Sequence, residues 1–157
     1  MSMEVKEYIG EVWKDIPGYY GYYQVSNIGR VRSCDRKVFI PNYGRWCTPS
    51  YKFYRGEIKK LKYNNNGYLR VQLYKNNKEK SWLVHRLVAI AFIPNPYNLP
   101  EVNHKNEMKT DNRVENLEWT DHRTNCHYGT RIERCAEGHR KQKGGTPIST
   151  SHTDIKR

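Results

Sequence analysis

The chain has 157 residues, with 28 Lys or Arg against 16 Asp or Glu and a formal net charge of +12. A hydrophobic content of 36% and a mean hydropathy of -0.99 leave room for one ordinary domain or two small ones and exclude a large core. No apolar run approaches a membrane span, and the opening MSMEVKEYIG lacks the basic and apolar regions of a secretory signal, so a cytoplasmic protein with no membrane partner is expected.

The placement of the charge says more than its size. Residues 30–86 hold 15 basic and 3 acidic side chains, whereas residues 87–130 hold 4 basic and 6 acidic ones. A block this one-sided calls for an acidic partner, and a phosphate backbone is the obvious one; charge alone does not separate DNA from RNA, and double-stranded DNA is the partner expected. No protein partner is implied. Cys34, Cys47, Cys126 and Cys135 form no C-x-x-C pair, so buried or surface thiols are expected rather than a structural zinc site.

In chain order, residues 22–25 and 30–33 read as strands joined by a turn through Asn27 and Gly29. Trp13 and Tyr19 suit hairpin packing. Arg30 and Arg32 alternate with Val31, so they share a face and are candidates for phosphate contact. The elements Trp-Lys-Asp-Ile-Pro-Gly-Tyr and Val-Ser-Asn-Ile-Gly-Arg-Val-Arg-Ser lie here in order. Together they resemble the fourth type of nuclease-associated modular motif, a short unit that recurs ahead of nuclease domains in phage homing enzymes.

Residues 35–56 lose periodicity and gain Pro41, Gly44 and Pro49, which predicts an irregular insertion ordered only on DNA. Residues 58–63, 68–74 and 80–84 then give strand-like runs separated by Asn-rich turns, an antiparallel meander. On its middle strand Leu69, Val71 and Leu73 share one face, while Arg70, Gln72 and Tyr74 share the other. Lys60 and Lys62 alternate with apolar neighbours in the same way. Such a ribbon can enter a major groove, with Arg70 and Gln72 on base edges and the lysines on phosphates; an ordinary solvated sheet face fits the alternation equally well.

Residues 85–92 predict a short helix with Leu87, Val88 and Ala91 on its apolar side, stopped by Pro94 and Pro96. His85, at its start, suits a hydrogen-bonded structural group better than a catalytic accessory. Residues 101–104 and 117–119 can form facing strands around a turn-rich loop at 105–115. Thr120 is a good N-cap for a helix over 121–128 that Gly129 ends.

This stretch orders its chemistry in a telling way. His104 follows Asn103 on a strand, and Asn125 lies on the helix. A neutral imidazole with an ordinary pKa near ~6.5 can take a proton from water at physiological pH. Amide oxygens can hold a divalent ion, Mg²⁺ or Mn²⁺, that keeps waters and takes phosphate oxygens as further ligands. His122 and His127 are surface residues that can also protonate a leaving oxygen.

The run HRLVAIAFIPNPYNLPEVNHKNEMKTDNRVENLEW at residues 85–119 resembles the HNH nuclease family, the ββα-metal fold, in its homing-endonuclease branch from phages and mobile introns. The resemblance implies that His104 is the general base and that Asn116 holds the loop closed and orients it. It also implies that Asn103 and Asn125 are ligands of one divalent metal. Position 103 is often Asp in this family, and the last motif position is Asn in place of a relative's His, so the site reads H-N-N.

The expected class is therefore α+β, a small antiparallel β-sheet DNA-binding arm followed by a ββα-metal core. Its expected parts are residues 1–56 (the modular motif and an irregular loop), 57–84 (the meander), 85–130 (the nuclease core) and 131–157 (a basic tail, helical to about Ala136 and then flexible). The expected function is a metal-dependent HNH DNA endonuclease that hydrolyses phosphodiester bonds. A DNA-binding regulator with a decayed nuclease site, and a protein acting on structured RNA, are the readings left open.

Overall fold

Two valines on facing strands, Val25 and Val31, anchor the first sheet. In the computed structural model, which describes residues 8–41 and 48–130, β1 (Trp13–Asp15), β2 (Tyr23–Ser26) and β3 (Val31–Ser33) pair antiparallel in that order. Val25 opposes Val31 in the register, and both are fully buried. The turn between them is the expected one: Gly29 N donates to Ser26 O at 3.0 Å, and Gly29 sits at φ +85°. The tail at residues 131–157, with its expected helical extension to Ala136, and Cys47 and Cys135 lie outside the described residues.

The insertion is not irregular where it is described. Residues Arg36–Ile40 (β4) pair antiparallel with Ser50–Tyr54 (β5), which overturns the aperiodic reading. The Phe39 and Tyr51 rings lie 5.3 Å apart across the pair, and Lys37 Nζ lies 4.5 Å from the Tyr51 ring. Periodicity missed this hairpin because neither face is buried: Phe39 is 52% and Tyr51 64% exposed. Cross-strand ring and cation contacts hold it instead.

The meander forms from β6 (Lys62–Tyr63), β7 (Leu69–Lys75) and β8 (Lys78–Leu83), in that order and antiparallel. Asn76 and Asn77, at φ 52° and 58°, make the tight two-residue turn that Asn favours in a right-twisted hairpin. The expected alternation holds on β7, where Val71 and Leu73 are buried. Its first strand differs from the expected 58–63. Ile58 instead bridges Arg32, Ser33 N donates to Glu57 O at 2.9 Å, and Lys59 N to Val31 O at 2.8 Å. Those backbone groups find partners on β3, so the meander grows directly out of the first sheet.

Helix α1 (Val84–Phe92) closes over both sheets. Leu87 and Val88 on α1 join Val25, Val31 and Leu73 in one core, each worth about 1.5–3 kcal/mol by burial. This shared core makes residues to Asp121 one compact unit, with a second beginning at His122. The expected boundaries at 56/57 and 84/85 fall inside the first unit. That unit ends in β9 (Glu101–His104), a 3₁₀ turn (Val114–Asn116) and β10 (Leu117–Thr120). The second begins with α2 (His122–His127). No described helix is long and apolar enough to cross a membrane.

Candidate active site

Strands β9 and β10 pair antiparallel, with Leu117 opposite His104 and Glu118 opposite Asn103. Adjacent strand residues leave opposite faces, so Asn103 and His104 meet different neighbours. Asn103 Nδ2 donates to Glu118 Oε1 at 2.9 Å. A carboxylate only accepts, so this contact fixes the amide orientation and leaves Oδ1 as the acceptor for another partner. Glu118 also returns to the neighbourhood the negative charge that an Asn at 103 removes. Hard oxygen donors of this kind suit Mg²⁺ or Mn²⁺.

The loop between the strands is closed by amides. Asn116 Oδ1 accepts from Asn106 N at 3.0 Å, and Asn116 Nδ2 donates to Asn106 Oδ1 at 2.9 Å and to Asp111 O at 2.8 Å. Lys105 N donates to Asn116 O at 2.8 Å, and Glu107 N to His104 O at 2.9 Å. Asn116 thus ties the loop's beginning to its end. The Arg113 guanidinium, 2.8 Å away, holds the Asp111 carboxyl down to about 2.

His104 is buried, and its Nε2 lies 3.1 Å from Asn112 Oδ1, which is also buried. Sequence reasoning missed Asn112. The only hint was a second Asn within the loop, after Asn106, and nothing local says which of several loop amides faces the imidazole. With an amide oxygen as its partner, Nε2 must donate, and the ring's lone pair then lies on Nδ1. Burial lowers the His104 pKa, which outweighs the opposite pull of the Asn112 bond. The ring is therefore held neutral, the state a proton acceptor requires.

Against His104 stands His85, with ring centroids 5.0 Å apart, and Tyr68 lies 5.0 Å from His85. The expected hydrogen-bonded role for His85 is corrected: its buried Nδ1 has no hydrogen-bond partner among the described residues. Desolvation, then the His104 and Arg86 charges, push its pKa from 6.5 to about 3. Between those values the unfolded chain binds a proton that the folded chain refuses, so stability is lost as pH falls from 6.5 toward 3. His85→Phe should flatten this limb by up to one proton, about 1.4 kcal/mol per pH unit. Urea unfolding of both proteins between pH 4 and 6, on the order of one titration span, measures the difference; parallel slopes would refute it.

In the second unit Asn125 lies on α2, half-buried, and Tyr128 N approaches Asn125 O at 3.5 Å. His127 Nδ1 lies 2.7 Å from Arg123 O. The expected N-cap Thr120 is the last residue of β10, and its hydroxyl donates to Asp121 O.

Among the expected DNA contacts, Arg30 is already engaged. Its Nε donates to Glu11 Oε1 at 2.9 Å and its other nitrogen also meets that carboxylate, while the guanidinium lies over Trp13 and Tyr8. Glu11 neutralises it, so Arg30 reads as structural. Arg32, on the same face, lies 4.3 Å from the Trp13 ring and is held by the neutral Gln24, so it keeps its charge for a phosphate. Lys60, Lys62, Arg70 and Gln72 line one cavity of about 380 Å³. Lys62 directly opposes Arg70 across β6 and β7, a like-charge pair that destabilises a sheet, and Arg70 Nε is buried with no partner among the described residues.

Comparison with known proteins adds the following. The NUMOD4 motif model matches residues 11–74, beyond the short hairpin and through most of β7. The chain is 36% identical over 113 residues to the DNA endonuclease I-HmuI of Bacillus phage SP01, covering 72% of this chain and 54% of that protein. It is 34% identical over 116 residues to the uncharacterized HNH endonuclease L245 of Acanthamoeba polyphaga mimivirus, covering 74% of this chain and 29% of that one. A solved structure describing DNA binding and cleavage by the HNH homing endonuclease I-HmuI matches with a TM-score of 0.60 and 33% identity, over 84% of this chain and 66% of the other. The chain thus spans about half of the first curated relative and less than a third of the second.

Proposed function

Because the chain belongs to the HNH homing-endonuclease family, we propose that it is a metal-dependent DNA endonuclease that hydrolyses phosphodiester bonds with His104 as general base. The observation that carries this reading is the buried His104 ring, anchored through Nε2 to Asn112 on a loop that Asn116 ties shut; the burial that lowers its pKa favours the neutral form. A ring held in this way has one basic nitrogen in a fixed place, as proton abstraction from water needs.

Asn103 would be a ligand of one divalent ion, Mg²⁺ or Mn²⁺, an assignment supported by the orientation that Glu118 imposes on it; the ligand role of Asn125 rests on the family resemblance alone. When bound, the ion supplies positive charge for the pentacovalent phosphorane and the leaving 3′ oxygen. The chain's own residues do the rest. Arg32, Lys60 and Lys62 attract the phosphate backbone, Arg70 and Gln72 face base edges, and the loop orients His104.

The test is conversion of supercoiled plasmid to nicked or linear form. Product is expected with Mg²⁺ or Mn²⁺ and none with EDTA. Protein that binds plasmids carrying a broad library of sites, yet yields no product with either metal, would refute the endonuclease and leave a DNA-binding regulator.

A further inference from the structure

We propose that the turn between β2 and β3 of the N-terminal motif is a positioning element for His104 and acts through Asn112. The proposal rests on the reading of His104 as the base. Gly29, at φ +85°, packs so closely that a Cβ built on it would lie 2.7 Å from Asn112 Cβ and 3.3 Å from Asn112 O. Asn27 O accepts from Val114 N at 2.8 Å, just beyond Asn112 on the loop. The turn is itself braced: Asn27 Oδ1 accepts from Val12 N at 2.8 Å, and Asn27 Nδ2 donates to Gly10 O at 3.2 Å.

Asn112 is only 4% exposed, so water cannot set its amide. What sets it is the wall behind it, and that wall is Gly29. The amide oxygen then faces His104 Nε2 at 3.1 Å and selects the tautomer with the proton there. The motif expected to contact DNA thus also shapes the cutting site. A Cβ at Gly29 must displace Asn112, and with it the acceptor that holds the ring.

The test combines ¹⁵N spectra of the imidazole rings with plasmid cleavage and DNA affinity, all on the full chain. At a pH where His104 is neutral, the wild-type ring should show a protonated Nε2 and an unprotonated Nδ1. Gly29→Ala should lose that preference and slow cleavage by about 100-fold, with DNA affinity within about two-fold, as expected when a remote change misplaces a reacting group. Gly21→Ala is the control. Gly21 also has positive φ, at 73°, but open space around it, so the same strain should leave tautomer and cleavage unchanged.

If Gly29→Ala does not fold, Asn112→Leu, which removes the acceptor, should lose the tautomer preference, and Asn112→Asp, which keeps one, should retain it. A wild-type His104 protonated on Nδ1 would overturn the proposal. So would a Gly29→Ala protein with normal spectrum and rate, or a Gly21→Ala protein as impaired as Gly29→Ala. If the wild type cleaves nothing, the endonuclease reading fails, while the ring spectra still decide this one.

Discussion

His104→Ala should lower metal-dependent cleavage by roughly 100- to 10,000-fold, the usual contribution of a general base, while DNA affinity stays within a few-fold. The separation follows from the charge map. Residues 87–130 carry a small net negative charge, and the basic block lies upstream in residues 30–86, so removing one neutral imidazole takes nothing from phosphate attraction. Alanine also leaves the buried Asn112 Oδ1 without its partner, which costs about 1–3 kcal/mol of stability. His104→Gln separates the two effects, since its amide can donate to Asn112 but has no basic nitrogen. It should be as inactive as alanine and closer to wild type in urea denaturation. Equal loss of cleavage and affinity in both variants would sink the assignment.

Asn116→Ala should have the second-largest effect, because it removes the clamp rather than the base. The Asp111 carbonyl and the Asn106 amide N–H lose their partners. Asn106 is exposed and can turn to water, so the expected destabilisation is about 1–3 kcal/mol rather than a multiple of it. The rate should fall further than stability accounts for, by about 100-fold in protein that is fully folded at the assay temperature, because the loop that carries Asn112 is no longer tied to β10. Asn116→Asp keeps the acceptor for Asn106 N but sets a carboxylate oxygen against the Asp111 O and Asn106 Oδ1 acceptors, so its urea midpoint should be no higher than that of alanine. A folded Asn116→Ala protein that cuts at the wild-type rate would show that the clamp is dispensable.

Wherever a local period or a local bond suffices, the sequence by itself determined the outcome. Alternation over Leu69 to Tyr74 marked the buried and basic faces of β7, Asn27 and Gly29 marked the first turn, and Pro94 and Pro96 marked the end of α1. The turn-rich run at 105–115 between residues 101–104 and 117–119 likewise announced a strand, a loop and a returning strand. These features depend on backbone geometry and on neighbours within a few residues.

The tertiary structure decided everything that turns on which surface a residue meets. Periodicity says that Val31 is buried, not that residues 57–59 will pair beside it. Alternation says that Arg30 and Arg32 share a face, not that Glu11 will neutralise one of them. The β4–β5 hairpin had no buried face to betray it. His85 lost its expected hydrogen bond because α1 presses its ring against His104 and Tyr68. Asn112, finally, is one of several polar loop residues until Gly29 comes close enough to aim it at His104. Long-range packing leaves no periodic trace in the chain, and a buried hydrogen bond is chosen by the shape of the space around it rather than by the residue alone.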